Sequence, residues 1–381
     1  PSWYPTQDNP VSGIFFREQA HALKDSGYKV GLISPQQFRL KTLSKGLSSK
    51  FSSIEYENDN GIPTYRRYSL AWLPRIPYGN SYLWVKSGEK LFREYIANYG
   101  KPDIIHSHSA LMGGVLAEQI KKYYSIPYVI TEHSSAYARN LLSDWQLNLA
   151  KVAFSEANAR IVVSPALGKL LENYFYKAIY PWKWIPNMLD QRFILASNSK
   201  SQFKSPHFRF LNVALMTENK GQIDLLQAFA RKFKGNTNLQ LRLGGDGIIR
   251  PHLEQLAEKL EIKNQVVFLG LLNREQVLEE MQACNAFVLS SHYETFGIVL
   301  TEALACGKPV IATACGGPEC IVNPENGLLV PPKKPNKLGT AMLQLYHTIE
   351  NYNSDIIREN CIQRFSPEAI VTQLTEVYSK L

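Results

Sequence analysis

Short apolar runs alternate with helical patterns through the second half of the chain. The runs cover residues 208–214, 239–243, 266–269, 286–289 and 309–312. Between them, apolar side chains recur every three or four residues, which is the period of an amphipathic helix. Strands that each lead into a helix form a parallel sheet with helices on both faces. We therefore expect a doubly wound α/β domain here.

The first half carries a similar pattern. We expect a loop, a helix and a strand between residues 11 and 34, and buried strands at 103–106, 128–131 and 160–164. The polar stretch at 197–207 is typical of a linker. A chain of 381 residues with 45% hydrophobic content can build two cores. The expected fold class is α/β, with two doubly wound, Rossmann-like domains that face each other across a cleft.

The linker sets the expected domain boundaries. The first domain is placed at residues 1–193, joined by a C-terminal helix at about 365–381, and the second at residues 194–364. Residues 1–5 are typical of a loop that follows a strand, and the sequence leaves open whether a strand precedes them. Open parallel sheets bind ligands at the carboxyl ends of their strands. The chemistry is therefore expected between the two domains.

The charge of the chain is positive. Lys and Arg number 42 and Asp and Glu number 33, which gives a net charge of +9. This balance indicates an anionic partner, whether phosphate, nucleic acid or a membrane surface. Because no apolar run reaches the roughly 18 residues that cross a bilayer, and no signal-peptide pattern is present, we expect a cytoplasmic protein. Contact with the inner face of the membrane is included in that expectation.

The five cysteines all lie after residue 283. An odd number in a chain of this size does not indicate a disulfide framework, and it fits a reducing compartment. Cys315 and Cys320 have no matching pair of His or Cys residues, so we interpret them as loop residues and expect no metal site.

The segment 290–309 carries the most chemistry. After a buried strand comes a polar loop with Glu294, and a helix is predicted to begin near Phe296. Backbone N–H groups at a helix start bind phosphate, and Gly297 lets a ligand approach closely. Glu302 falls about two turns into this helix, where a carboxylate needs hydroxyl partners such as those of a ribose. Taken singly, the two glutamates could also be a helix cap and a paired or solvated side chain.

With its neighbouring motifs, this segment resembles the C-terminal signature of family-4 retaining glycosyltransferases. The other motifs follow the family's order and span nearly the whole chain: Ile185-Pro186-Asn187, Gly244-Gly245-Asp246-Gly247, Val267-Phe268-Leu269-Gly270, Gly316-Gly317-Pro318-Glu319 and Asn326-Gly327-Leu328-Leu329-Val330. Each motif alone is weak, but the ordered set is specific. The resemblance implies the GT-B fold and transfer of a hexosyl-type group from a UDP- or GDP-sugar to a hydroxyl. The implied acceptor is a glycan or a lipid-linked sugar, as in cell-surface polysaccharide synthesis.

The resemblance also implies the roles of single residues. Glu294 and His133 are the expected catalytic residues, both beside the donor sugar. Glu302 contacts the nucleotide ribose, and Lys220 binds the donor phosphates. The other donor-binding positions are a glycine loop and the amides at the start of the predicted helix: Gly13, Phe296, Gly297, Ile298 and Val299. Transfer with retention, without a metal ion or cofactor, is the implied course.

One position departs from the family. Where the family has an arginine five residues before the phosphate-binding lysine, this chain has Leu215. Loss of a charged hydrogen bond weakens binding by about 1.5 to 3 kcal/mol. Arg242 and Arg250 are candidate replacements, but the sequence favours neither.

Aromatic and basic residues interleave between Tyr65 and Tyr99. Such a surface suits an anionic membrane interface or a lipid-diphosphate acceptor. No nucleic-acid-binding module accompanies it, so nucleic acid is not an expected partner. The alternative is that half of these aromatic residues belong to the core.

Two other functions stay open at this point. A nucleotide-sugar epimerase uses the same architecture and needs no acceptor. A non-catalytic protein that binds nucleotide sugars is the second alternative, and Leu215 is the residue that favours it. The base, the sugar, the acceptor and the oligomeric state do not follow from the sequence.

Overall fold

A computed structural model describes residues 1–6, 13–38, 53–73, 76–175, 179, 181–196 and 206–381. The chain divides into two compact units. Unit 1 contains Pro1–Val163, Leu167–Met188 and Ile370–Leu381, and unit 2 contains Ser164–Ala166 and Leu189–Ala369. Most of the predicted linker, residues 197–205, lies outside the described residues, as do residues 11 and 12 of the first predicted loop.

The division differs from the predicted one at residues 189–193. The sequence placed them in the first domain, whereas in the structure they belong to unit 2. Leu189 and Phe193 are fully buried there. In addition, the backbone N–H of Leu189 donates to the carbonyl of Phe365 over 2.8 Å. Because these two apolar residues are buried in unit 2, the boundary between the units lies closer to the N-terminus than the sequence predicted.

Unit 2 is built on a six-stranded sheet. Its strands are β8 (Phe208–Val213), β9 (Leu239–Gly244), β10 (Val266–Gly270), β11 (Ala286–Leu289), β12 (Val310–Thr313) and β13 (Gly327–Val330). The spatial order is β10-β9-β8-β11-β12-β13, and every pairing is parallel. The order reverses between β8 and β11, which makes the carboxyl ends of these two strands the point where such sheets bind ligands.

Helices surround this sheet and close its core. They are α6 (Gln191–Leu195), α7 (Gln222–Phe233), α8 (Arg250–Lys259), α9 (Arg274–Ala283), α10 (Ile298–Ala305), α11 (Pro335–His347) and α12 (Ser354–Phe365). Every residue of β11 and β12 is buried, as expected for central strands covered on both faces. The core packs side chains of β8 and β9 against α7 and α11, including Phe210, Leu241, Phe229 and Met342.

Unit 1 contains two sheets. The first has the order β1-β3-β2, with β1 (Leu32–Phe38), β2 (Ile54–Asp59) and β3 (Ile62–Leu70). The second is parallel, in the order β4 (Ile105–His108), β5 (Tyr128–Glu132), β6 (Ala159–Val162) and β7 (Lys183–Trp184). The hairpin of β2 and β3 turns at Asn60 and Gly61, which both have positive φ, as a tight primed turn requires. The sequence pattern did not predict this hairpin.

The helices of unit 1 include one from the end of the chain. They are α1 (Ile14–Asp25), α2 (Gly79–Tyr99), α3 (Val115–Tyr124), α4 (Asp144–Glu156), α5 (Pro165–Phe175) and α13 (Pro367–Tyr378). Ile370 and Leu374 of α13 pack with Val129 and Ile161 of the parallel sheet. A cavity of about 570 Å³ in unit 1 is lined by residues of β1, β4, α1, α2, α3 and α13.

The segment of interleaved aromatic and basic residues divides between core and surface. Tyr65, Tyr68, Trp84 and Phe92 are buried, so these four do not form the predicted interface. Trp72, Tyr78 and Tyr82 are exposed. Residue 75 lies outside the described residues. No helix in the described part of the chain combines the length and the apolar content that crossing a bilayer requires.

Candidate active site

The loop after β11 packs on the loop after β8, at the point where the strand order of unit 2 reverses. The N–H of His292 donates to the carbonyl of Asn219 over 2.8 Å, and the side-chain amide of Asn219 donates to the carbonyl of Tyr293 over 3.1 Å. The Ser290 hydroxyl donates to the carbonyl of Lys220 over 2.9 Å. These bonds fix the two loops to each other and place their side chains together.

A glycine makes the close approach of the two loops possible. Gly221 has φ 64°, and a Cβ at this position would lie 2.0 Å from the carbonyl oxygen of Ser290. Real side chains do not tolerate such a contact with backbone. Glycine is therefore required directly after Lys220, for its positive φ as well as for the available space.

Lys220 and Glu294 form an ion pair at this junction. The Nζ atom of Lys220 lies 2.6 Å from Oε1 of Glu294, which also accepts a hydrogen bond from the Ser291 hydroxyl over 2.7 Å. The side chains are 25% and 14% exposed, so water screens their attraction only in part. An ammonium has three N–H donors. After the bond to Glu294, two remain for an anionic ligand.

Helix α10 begins at Ile298, two residues later than predicted. Gly297 precedes it with φ 97° and ψ 55°, a left-handed conformation that delays the first helical residue. Phe296 stays outside the helix, is 1% exposed and packs against Phe365 with ring centres 5.8 Å apart. The first N–H groups of α10 come after Gly297, which leaves them at the edge of the sheet beside Glu294. Because of this later start, Glu302 lies just beyond the first turn.

A network of charged residues surrounds Glu302, and the sequence did not predict it. Glu302 is 1% exposed and accepts a hydrogen bond from Arg274 over 2.7 Å. Arg274 also donates to Asp190 over 2.8 Å, and Asp190 in turn accepts bonds from Arg192. Oε2 of Glu302 is buried and has no hydrogen-bond partner among the described residues. An unsatisfied buried acceptor costs about 1–3 kcal/mol, so a ligand hydroxyl at this atom would remove that cost.

Burial and ion pairing oppose each other in this network. Burial raises the pKa of Glu302, and the charge of Arg274 counteracts the rise in part. Burial acts in the same direction on Asp190, but hydrogen bonds from Arg192 and Arg274 outweigh it and lower the pKa of Asp190 to about 2. Arg274 thus favours the charged form of Glu302 against the effect of burial.

In unit 1, His133 follows β5 in a cluster of buried rings. Its Nε2 lies 3.1 Å from Nδ1 of His108, and His106 contacts Tyr378 Oη at 2.6 Å and Thr131 Oγ1 at 2.7 Å. Burial lowers the pKa of His106 and of His133 to about 3 and that of His108 well below its usual range. All three rings are therefore neutral near pH 7, and His133 can act there only as a neutral hydrogen-bonding group.

Glu132 shapes the loop that carries His133. Its Oε1 accepts from the N–H groups of His133 and Ser134 over 2.9 and 2.8 Å, and its Oε2 accepts from the N–H of Ala110 over 2.9 Å. The side chain is fully buried. Glu132 lies in the strand-end motif that drew attention to His133, but its role became visible only with these contacts.

Gly13 precedes α1 with φ 73°, and a Cβ there would lie 2.8 Å from the carbonyl oxygen of Trp3. This contact explains the glycine by local packing. A role in binding the donor stays a prediction.

The two arginines considered as replacements at the phosphates are already paired. Arg242 donates to both carboxylate oxygens of Glu280 over 2.7 and 2.6 Å. Arg250 contacts Glu254 at 2.9 Å and Asp246 at 3.2 Å. Leu215 is 62% exposed at the end of β8. Lys220 therefore remains the cation that the geometry places nearest to Glu294.

The cysteines and possible metal ligands form no further site in the described residues. All five cysteines are free thiols, Cys315 and Cys320 included. The described part of the chain contains no group of three or more His, Cys, Asp or Glu residues placed to hold a metal ion.

Two family models match the chain in succession. Residues 12–192 match Glycosyltransferase Family 4, and residues 195–363 match Glycosyl transferases group 1. The chain belongs to the family 4 glycosyltransferases. The putative teichuronic acid biosynthesis glycosyltransferase TuaC of Bacillus subtilis is 26% identical to it, over 91% of this chain and 88% of that protein.

Solved structures support the same fold. Sucrose-phosphate synthase from Thermosynechococcus elongatus superposes with a TM-score of 0.76 at 24% identity, over 96% of this chain and 92% of that one. HepE from Anabaena, in complex with UDP and glucose, gives a TM-score of 0.71 at 21% identity, over 97% and 95%. These neighbours are GT-B glycosyltransferases, so the predicted fold class is confirmed.

In this family 4 glycosyltransferase, the structure brings together part of the predicted site. Lys220 and Glu294 meet after β8 and β11 in unit 2, and the start of α10 and then Glu302 follow Glu294 along the chain. His133 and Gly13 belong to unit 1. Arg274 and Asp190 complete the surroundings of Glu302. A single arginine at the start of a predicted helix gave no signal, because its partners are distant in sequence.

Proposed function

We propose that this glycosyltransferase moves a hexosyl-type group from a nucleoside-diphosphate sugar to a hydroxyl, with retention of the anomeric configuration. The observation that carries the proposal is the arrangement in unit 2 of an ammonium, a helix start and a buried carboxylate with one unpaired oxygen. An ammonium and free N–H groups suit a diphosphate, and an unpaired carboxylate oxygen suits ribose hydroxyls. The complex of HepE with UDP and glucose supports such a donor.

In the proposed reaction, the bond between the anomeric carbon and the phosphate oxygen breaks as the acceptor oxygen bonds to the same face of the sugar. The leaving phosphate takes the acceptor's proton. Lys220 and the amides of Phe296, Gly297, Ile298 and Val299 stabilise the charge that develops on the diphosphate. The proposal needs no metal ion or further cofactor for this charge.

The remaining predicted residues have positioning roles in the proposal. Glu294 orients the donor sugar and offsets positive charge at the anomeric carbon, and Glu302 holds the ribose. His133 contacts the sugar as a neutral ring, since burial lowers its pKa to about 3. Gly13 lets backbone approach the diphosphate.

The proposed acceptor is a glycan or lipid-linked sugar, met in the cytoplasm at the inner face of a membrane. The exposed residues Trp72, Tyr78 and Tyr82 support a peripheral contact, because aromatic rings settle at the depth of lipid headgroups. TuaC, as a putative teichuronic acid enzyme, supports polysaccharide synthesis. The protein should sediment with vesicles that contain anionic lipid. The double variant Trp72→Ala, Tyr82→Ala should sediment with them less. Equal sedimentation of the original protein and the double variant contradicts the membrane contact.

A comparison of two glutamates tests the proposed function. Glu294→Ala should abolish transfer from the best donor and leave affinity for the nucleoside diphosphate within a few-fold, while Glu302→Ala should weaken that affinity directly. Thermal shifts with UDP, GDP, ADP and their sugars identify the donor, because a ligand that binds the folded state raises its stability. Glu280→Ala, which breaks another ion pair of unit 2, is the control.

Three outcomes would contradict the proposal. A reversed pattern of the two glutamate variants contradicts the assigned roles. Conversion of the donor to an isomer without an acceptor indicates an epimerase. Binding without turnover across a broad acceptor panel indicates a non-catalytic protein.

A further inference from the structure

Four charged side chains form one network on the side of unit 2 where α9 and α10 meet. Arg274 begins α9, Glu302 lies in α10, and Asp190 and Arg192 belong to the start of α6. Arg192 also pairs with the exposed Glu275, at 3.2 Å. Removal of Arg274 takes away the cation that is bonded to Glu302, in a region where Glu302 and Asp190 are almost fully buried.

Arg274 is the member that joins the two carboxylates. One of its terminal nitrogens, Nη2, lies 2.8 Å from Oδ2 of Asp190 and 2.7 Å from Oε1 of Glu302. The guanidinium also lies over the ring of Phe193, at 5.1 Å from the ring centre. The planar group is therefore fixed by Asp190, Glu302 and Phe193, and it fixes Glu302 in return.

The bond from Arg274 uses only one of the two oxygens of Glu302. The other oxygen, Oε2, is buried and has no hydrogen-bond partner among the described residues. A carboxylate held by one oxygen presents the second in a defined direction. Without Arg274, the side chain would be free to turn, and it would be a buried acid with no cation beside it.

We propose that Arg274 is a positioning residue for nucleotide binding: it fixes the rotamer and the charge of Glu302, so that Oε2 accepts the ribose hydroxyls of the donor. Asp190 orients Arg274 and acts one step further away. This inference rests on the proposed function, in which Glu302 binds the ribose. It adds a residue to the site that contacts neither the ribose nor the sugar.

The charged groups around Glu302 determine how its pKa should change when one of them is removed. Arg274, Asp190, Arg192 and the thiol of Cys306 are the groups that act on it or respond to it. Burial raises the pKa of Glu302, and Arg274 is the main opposing influence. Removal of Arg274 should raise this pKa further. Below the new pKa, a neutral carboxyl group accepts hydrogen bonds from the ribose less well than a carboxylate.

The test measures the Kd of UDP, and of UDP without its two ribose hydroxyls, between about pH 5.5 and about pH 8.5. Arg274→Gln should weaken UDP binding by about tenfold or more at neutral pH, the scale of one charged hydrogen bond. The affinity should recover as pH rises, because Glu302 then ionises. Binding of 2′,3′-dideoxy-UDP should change little. Arg274→Lys keeps the positive charge, so its affinity for UDP should stay closer to that of the original protein.

The control is Arg242→Gln, which removes an arginine of similar burial from its pair with Glu280 in the same unit. It should change neither affinity nor pH profile. If Arg274→Gln does not fold, the double variant with Asp190→Asn removes the unpaired carboxylate and allows the same measurement. A loss that is equal for UDP and its dideoxy analogue, or independent of pH, overturns the proposal.

Glu302→Ala separates this inference from the function on which it rests. If Glu302→Ala binds UDP as the original protein does, the ribose role of Glu302 is wrong and the proposed function fails. If Glu302→Ala loses affinity while Arg274→Gln keeps both the affinity and the pH profile, only the positioning role of Arg274 is wrong.

Discussion

At the ends of β4 and β5 in unit 1, His108 and His133 are buried as neutral rings that bond to each other, whereas after β8 and β11 in unit 2 Lys220 and Glu294 are paired as ions. Both pairs lie at the carboxyl ends of neighbouring parallel strands. The difference lies in how each one satisfies polar atoms away from water. The stability of the neutral rings depends on pH, because protonation would place a charge away from water. The stability of the ion pair depends on the presence of both partners.

The largest effect is expected when the pair of unit 2 is broken. Lys220→Ala should lower the rate of transfer by about 100- to 1000-fold, because it removes the cation that stabilises the leaving diphosphate. Turnover with the identified donor measures this. Arg242→Ala breaks a pair of similar burial outside the site and should leave the rate nearly unchanged. An equal loss of rate in Lys220→Ala and Arg242→Ala would mean that both ion pairs only stabilise the fold of unit 2.

The close loop contact behind this pair should be nearly as sensitive. Gly221→Ala should lower the free energy of unfolding by about 3 kcal/mol, since its Cβ would meet the Ser290 carbonyl and its φ is positive. Gly235→Ala is the matched control, because it also has positive φ, but a Cβ there meets nothing within 4 Å. It should cost about 1 kcal/mol. Urea unfolding gives both values, and similar losses would contradict the proposed contact.

The stability of unit 1 should decrease at low pH because of its buried histidines. The pKa of His106 and of His133 is lowered by burial to about 3, while an unfolded histidine has a pKa of about 6.5. Between these values the unfolded state takes up protons that the folded state does not, so stability falls as pH falls. Each histidine contributes up to about 1.4 kcal/mol per pH unit.

Unfolding in urea at several pH values checks this dependence. His108→Gln removes one titrating ring and should make the slope smaller by up to the contribution of one histidine. His252→Gln, at an exposed position of unit 2, is the control for the substitution itself. An unchanged slope in His108→Gln would show that this ring is not held neutral.

The smallest effect concerns the cation that the family has and this chain lacks. Leu215→Arg should tighten binding of UDP by about five- to tenfold, which corresponds to about 1 to 1.4 kcal/mol, because Leu215 is largely exposed and a longer side chain has room. Calorimetry measures this, and Leu215→Gln controls for size. No gain would mean that position 215 does not face the phosphates.

The sequence predicted the strands of unit 2 well, because β8 to β12 are rich in apolar residues and the central strands β11 and β12 are buried along their whole length. It did not predict β2 and β3, and the tyrosines and arginines of β3 were interpreted as part of a surface. Gly297 was recognised, but its left-handed conformation, which moves the helix start from residue 296 to 298, is a matter of local geometry. Arg274 was missed because Asp190 and Glu302 lie 84 and 28 residues away, and pairing at such distances follows from the fold.

The cavity of unit 1 lies against one end strand of each sheet. Among the described strands, β1 and β4 each end a sheet, and both line this cavity of about 570 Å³. A strand at the end of a sheet forms ladder hydrogen bonds to a neighbouring strand on one side. A substitution that changes the apolar lining of this cavity therefore acts on both sheets of unit 1 at once.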